Sequence, residues 1–391
     1  MKYREIFVYH ATPRPHSHGR LMYENPPKGY KFVVRANERK MSMLNFMLNS
    51  KIIKYLYRKI IKRFVNPLKL YNQMYSADIP ESAELVFSEG SALDIKKPWV
   101  MQIIDSVYAL SGNDYSVFMK NKEEIEKKLA SKYCRKIIVV NESTLRDMKK
   151  YFGKDVMNKT VLIRAAVEKQ HMKRDYGRKK LQLLFMGSIA NPDDFIVKGG
   201  LEALECFRKI SEDFSNVSFV VRCMVPEEIK QRYKDVINLR FANEKLDYGK
   251  IKKLYLDTDI LVNPAHIYPL MTTLEALSFG IPIIMLDTYG VRDYLDNGKN
   301  SILVEPSDKI TSYEDKAYPA NIRSDKFISE IKNMDEKVVD RLYWAVKKLT
   351  ENQKLREKLG KNGKKTAETK FSMELRNKKL KKVFDECFEG I

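Results

Sequence analysis

Cysteine is scarce in this sequence of 391 residues: there are only four, Cys134, Cys206, Cys223 and Cys387. They are too far apart for the paired spacing of a zinc site and too few for a secreted disulfide scaffold, so a reducing compartment is expected. Long apolar runs are missing as well. The first residues, MKYREIFVYHATPRP, hold only a short apolar stretch before polar residues return. Neither a signal peptide nor a membrane span is therefore expected there, and the chain is placed on the cytoplasmic side. No low-complexity tract or short-period repeat interrupts the sequence, and a hydrophobic fraction of 44% beside a charged fraction of 31% excludes a disordered chain.

What the sequence has in excess is positive charge, a formal +21 at pH 7. Fold does not require it, and it predicts attraction to something anionic: nucleic acid, phosphorylated substrates or an acidic membrane surface. No recognisable RNA- or DNA-binding module accompanies the charge, and the basic residues are spread along the chain, so no nucleic-acid partner is expected. One segment concentrates it. In KIIKYLYRKIIKRFV, residues 51–65, Ile53, Leu56, Tyr57, Ile60 and Phe64 fall on one face of a helix, with Lys51, Lys54, Arg58 and Lys62 on the other. Such a helix either lies peripherally on an anionic membrane or packs its apolar face on a sheet and leaves its basic back in water.

The length suits two α/β domains better than one core. Residues 5–9, 30–34, 85–87, 99–104 and 136–140 are short apolar runs with β-branched residues, separated by helix-length polar segments. After Arg164 the rhythm restarts at 182–186, 217–221, 237–240, 259–263, 282–286 and 302–304. Two doubly wound parallel sheets, each Rossmann-like, are expected. The charged stretch HMKRDYGRKK, 171–180, suits an exposed linker between them. Apolar residues at helical spacing from Phe371 to Phe384 predict a terminal helix. The expected division is a first domain over 1–170, a second over 171–370 and a last helix over 371–391.

In the second domain the strand QLLFM ends in Gly187-Ser188, and a loop leads to Lys198-Gly199-Gly200 and the helix-forming LEALECFRKI. A strand, a glycine turn and a helix start place backbone N–H groups where phosphate oxygens can sit, with Lys198 adding a full charge; the same glycines can also serve as tight turns. In the first domain His10, His16 and His18 follow the first strand, where an α/β domain opens its crevice. They either contact a substrate or sit in a polar loop by chance, and no carboxylate or cysteine accompanies them for a metal. Asp105, at the end of WVMQIID, either faces that crevice or caps the next helix. Asp257-Thr258-Asp259 has the Asp-x-Asp pattern of a metal site but precedes its strand, and is read as structural.

The segment DILVNPAHIYPLMTTLEALSFGIPIIMLDTYGVRDYLDNGKNSILVEP carries a strand, a short loop, a helix with Glu275 in its first turns, a Gly280-Ile281-Pro282 stop and a new strand. Together with LLFMGS and KGG before it, and LTENQKLREKLGKNGKKT and KFSMELRNKKL after it, it resembles the retaining glycosyltransferases of the GT-B fold. The likeness is to the family 4 group related to glycogen synthase and the phosphatidylinositol mannosyltransferases. It runs over most of the chain and is specific in the second half. It implies a cleft between two Rossmann-like domains, an acceptor held by the first, a nucleotide-diphosphate sugar by the second, and a last helix crossing back to the first. It also implies metal-independent, retaining transfer of a hexose to a glycan or lipid-linked glycan in glycan biosynthesis, with no cofactor beyond the donor.

Residue by residue, the resemblance assigns donor phosphate to Lys198, beside Gly187, Ser188 and Gly199. It assigns the ribose hydroxyls to Glu275 and the diphosphate to the amides of Met271, Thr272 and Thr273; Glu275 is otherwise an ordinary first-turn acid. The family's first glutamate, eight positions before Glu275, is Ile267 here, which leaves His266 or backbone groups to meet the donor sugar. An arginine common after the strand glycine is Ser188, so Arg222 is a candidate to supply that charge. The glycine-rich amino-terminal loop is absent and the family's histidine-aspartate pair reads Ile104-Asp105, leaving Asp105 and His16 as catalytic candidates. The departure at Ile267 also allows a weakened relative that binds nucleotide or glycan. If residues 51–65 lie on a bilayer, replacing Lys54, Arg58 and Lys62 with glutamate releases the protein from anionic vesicles in a sedimentation assay, and salt weakens wild-type binding. Equal binding to neutral and anionic vesicles would instead show a helix packed on its domain.

Overall fold

The computed structural model describes residues 3–9, 17–34, 79–189, 193–312, 322 and 324–389. His10, His16 and the basic segment 51–65 lie outside these. The chain divides into two units: unit 1 is Met1–Ala166 with Met373–Ile391, and unit 2 is Val167–Ser372.

Unit 1 holds a six-stranded sheet in the order β2-β1-β3-β4-β5-β6, every pairing parallel. Its strands are β1 Arg4–Tyr9, β2 Tyr30–Val34, β3 Leu85–Glu89, β4 Trp99–Ile103, β5 Cys134–Val139 and β6 Thr160–Leu162. Parallel strands are covered on both faces and so read as unbroken apolar runs, which is why five of the six are visible in the sequence. β6 is not. It has three half-buried residues at the sheet edge, too short to show a period, and pairs through Ile137↔Thr160 to Val139↔Leu162.

One face of this sheet is closed by the last helix, Met373–Glu389. Leu380, Val383, Phe384 and Cys387 repeat at helical spacing and join Ile6, Val8, Phe32, Phe87, Val100 and Ile138 in one core. The Phe384 ring lies 5.3, 5.9 and 6.5 Å from those of Tyr30, Phe32 and Phe87, within the range of favourable aromatic pairs. Polar contacts fix the helix lengthwise: Tyr30 donates to Asp385 Oδ1 at 2.7 Å and Arg376 Nη2 to the Asn25 carbonyl at 2.8 Å.

Unit 2 repeats the plan with β7 Leu181–Met186, β8 Val217–Arg222, β9 Leu239–Phe241, β10 Ile260–Val262, β11 Ile283–Leu286 and β12 Ser301–Val304. The order is β12-β11-β10-β7-β8-β9, again parallel throughout. The stretch 171–180 is largely exposed, as expected, but it lies within unit 2, whose boundary falls at Ala166/Val167. Arg174 is drawn into unit 2, where it donates from Nε to Phe279 O at 2.8 Å and from Nη2 to Tyr255 O at 2.7 Å, with Nη1 on Thr258 O. Burial holds its guanidinium down at about 10. These carbonyls end the Tyr248–Asp257 and Leu270–Ser278 helices, whose last C=O groups have no partner within the helix. Arg356 does the same for Leu349 O and Thr350 O at the end of the Glu336–Glu351 helix.

No helix among the described residues is long and apolar enough to cross a membrane. Phe384→Ala is expected to destabilise unit 1 by about 3–5 kcal/mol, the usual cost of emptying an aromatic core site. The chain has two tryptophans, of which Trp344 is 62% exposed and Trp99 is buried on β4. In a Trp344→Phe background, denaturant unfolding followed by fluorescence reads unit 1 alone.

Candidate functional site

In an open parallel sheet, ligands bind beyond the carboxyl ends of the strands where the chain reverses its direction of winding. In unit 2 that point lies between β7 and β10, which are neighbours in the sheet although β8 and β9 intervene in sequence. The loops that leave these two strands are the ones singled out in the sequence.

They press together at Gly199. This residue caps the Gly200–Asp213 helix with φ of 77°, a backbone state that favours glycine, and a Cβ there would stand 1.9 Å from Pro264 O. Gly200 is equally confined, its Cβ position lying 2.2 Å from the Phe195 ring. Both glycines are thus required by packing, and their helix start is held against Pro264 in the loop that follows β10. Lys198 Nζ sits 3.4 Å from Ile267 O and 3.5 Å from Tyr268 O, so its ammonium lies over the same loop.

His266 differs from the sugar contact considered for it. Its Nε2 is 2.8 Å from Glu202 Oε1, with both side chains almost fully buried, and its backbone N–H donates to Val197 O at 3.0 Å. The ring is turned inward because Glu202, in the first turn of the Gly200–Asp213 helix, would otherwise be an uncompensated buried carboxylate. This pair latches the two loops together. Glu202 was missed in the sequence, since 64 residues separate it from its partner.

Glu275 lies on the Leu270–Ser278 helix, and its Oε2 accepts from the Tyr255 hydroxyl at 2.8 Å. Tyr255 is also a residue the sequence did not point to. Of the three amides assigned to diphosphate, that of Thr273 already donates to Pro269 O at 3.1 Å and its hydroxyl to the same oxygen at 2.9 Å; this corrects its assignment, because those bonds close the helix's first turn. Arg222, at the end of β8, donates from Nη1 to Gly187 O at 2.9 Å. Burial lowers its pKa, while the charge of Glu275 nearby favours the protonated form. Gly187 itself is demanded by the Cys223 sulfur, 2.5 Å from where a Cβ would be, and Ser188 O accepts from Met224 N at 2.9 Å. Unit 2 thus gathers Lys198, Arg222, Glu275 and a helix start at the reversal of its sheet, an arrangement able to hold an anion beside a hydrogen-bonding carboxylate.

The candidates of unit 1 are plainer. His18 is 2% exposed with Nε2 3.1 Å from Gln102 Oε1. Asp105 does not cap the following turn; that is Ser106, whose side chain accepts from Tyr108 N. The Asp105 carbonyl accepts from Thr144 Oγ1 at 2.7 Å. Asp259 Oδ2 accepts from Gln182 N at 2.8 Å, a structural role as read from sequence. Among the described residues no group of three or more His, Cys, Asp or Glu is placed to hold a metal.

Residues 180–318 match the family described as Glycosyl transferases group 1. No curated protein matches the chain in sequence. Among solved structures, a glycosyltransferase of Rickettsia africae ESF-5 is 13% identical, with a TM-score of 0.58 and 100% of each chain covered. HepE of Anabaena, in complex with UDP-glucose, is 10% identical at a TM-score of 0.59 over 97% of this chain and 99% of its own. The pneumococcal O-GlcNAc transferase GtfA, in complex with UDP and GlcNAc, is 14% identical at 0.55, over 77% of this chain and 56% of its own. Likeness at these identities is one of fold, and the fold is that of GT-B.

Burial depresses the His18 pKa from 6.5 to about 4. The unfolded chain therefore binds the proton first as pH falls, so this residue's contribution is intact above about pH 6.5 and is lost on descending towards 4. The full difference corresponds to roughly 3 kcal/mol. Denaturant unfolding of unit 1 between pH 7 and 4 should show the decline, and His18→Gln should flatten it.

Proposed function

Residues 180–318 being a group 1 glycosyl transferase domain in a chain of GT-B fold, we propose that this protein is a metal-independent, retaining glycosyltransferase. It transfers a hexose from a nucleotide-diphosphate sugar to a glycan or lipid-linked glycan. Unit 2 holds the donor and unit 1 the acceptor. The observation that carries the reading is the convergence of Lys198, Arg222 and Glu275 at the sheet reversal of unit 2, beside a helix start that the Gly199–Pro264 contact fixes in place.

Negative charge grows on the departing diphosphate as the glycosidic bond breaks, and fixed positive groups lower the barrier because they need not reorganise. Lys198 and Arg222 supply that charge. Glu275 accepts hydrogen bonds from the ribose and so orients the whole donor. UDP-glucose in HepE and UDP in GtfA support a uridine donor here. The neutral Ile267, where the related enzymes carry a carboxylate, favours a second reading in which the site binds a donor without turning it over.

Mass action raises the melting temperature of a protein whose native state binds a ligand, so a thermal-shift screen of nucleotide sugars identifies the donor. Lys198→Ala should then weaken nucleoside-diphosphate binding measured by calorimetry while leaving thermal stability nearly unchanged. Glu275→Ala should slow transfer by at least about a hundredfold, the scale of losing a positioning group, and Glu275→Gln should keep part of the rate. Donor binding without turnover in the wild type would establish the second reading, and wild-type transfer by Glu275→Ala would reject the site.

A further inference from the structure

Tyr255 stands in the Tyr248–Asp257 helix with 1% of its surface exposed. Its ring stacks on Phe279, with centroids 5.2 Å apart and planes at 22°, and phenylalanine would serve that packing equally well. The hydroxyl is what packing does not explain. Buried, it must find a partner, and it donates to Glu275 Oε2 at 2.8 Å. Burial and the neighbouring carboxylate raise the phenol's pKa well above its ordinary value, so it remains a donor throughout the neutral range.

We infer that Tyr255 is a positioning residue that aims the Glu275 carboxylate at the ribose of the donor, an inference that rests on the site reading above. A glutamate on a helix has several rotatable bonds, and freezing them costs up to about 2 kcal/mol. A rigid, stacked tyrosine that grips one carboxylate oxygen has met that cost before the nucleotide arrives. The hydroxyl touches Glu275 and also the Thr272 side chain. As an aiming device for Glu275 its removal should be felt through the ribose that Glu275 recognises, whereas a role through Thr272 would be felt equally by ribo and dideoxy nucleotides.

Calorimetric titration of wild type and Tyr255→Phe with UDP, GDP and ADP, each compared with its 2′,3′-dideoxy analogue, tests this. The wild type should prefer the ribo form of the nucleotide it binds. Tyr255→Phe should lose about tenfold in affinity for that form, the scale of one hydrogen bond to a charged group, and bind the dideoxy analogue as the wild type does. That unchanged affinity also certifies the variant's fold. In a Glu275→Ala background the same substitution should cost nothing further. An equal loss for both forms, or no loss for either, overturns the positioning role while the wild-type preference upholds the site. A wild type that does not distinguish the two forms, or binds none of the three nucleotides, overturns the site reading and this inference with it.

Discussion

Parallel strand pairing is the constraint from which the rest of this molecule follows. Parallel neighbours cannot be joined by a tight turn, so each strand must be followed by a crossover that returns the chain to the starting end. All twelve described strands pair in this way, and the loops at their carboxyl ends therefore collect on one side of each sheet. Where winding reverses, the helices after two neighbouring strands pass to opposite faces of the sheet, and ligands bind at the ends of those strands. In unit 2 the reversal falls at β7 and β10. A glycine without a Cβ lets the backbones of their loops touch, and the buried Glu202–His266 pair keeps them together.

The large positive charge takes on a different meaning once the arginines are placed. Arg174, Arg356 and Arg376 do not reach for carboxylates. Each turns its guanidinium on the carbonyls at the end of a helix, where the backbone carries partial negative charge. Part of the +21 is thus structural, spent on closing helices, and the remainder lies largely in unit 1.

Strands were legible because burial on both faces leaves an apolar run that needs no partner to be recognised. β6 escaped since an edge strand of three residues has neither length nor full burial. The Lys198-Gly199-Gly200 motif and Glu275 were legible as chemistry, but their packing reasons were not: Gly199 answers to Pro264, 65 positions on, and no local pattern announces that. His266 looked available in sequence because histidine on a loop is ordinarily exposed, and only the fold brings Glu202 to it. Tyr255 resembled one more apolar-face residue of an amphipathic helix, its hydroxyl meaningless until Glu275 stood beside it. Arg174 was read as solvated for the same reason, since a run of charges reads as surface until its carbonyl partners are in place.

The last helix gives the chain an order of assembly. The core of unit 1 contains Ile6 and Val8 from one end of the sequence and Phe384 and Cys387 from the other, with all of unit 2 between them. On the ribosome, domains fold as they emerge. Here the sheet of unit 1 precedes unit 2 in the chain, and the helix whose side chains complete its core follows unit 2. That helix is thus translated only after unit 2, so the second unit can fold while the core of the first is still open.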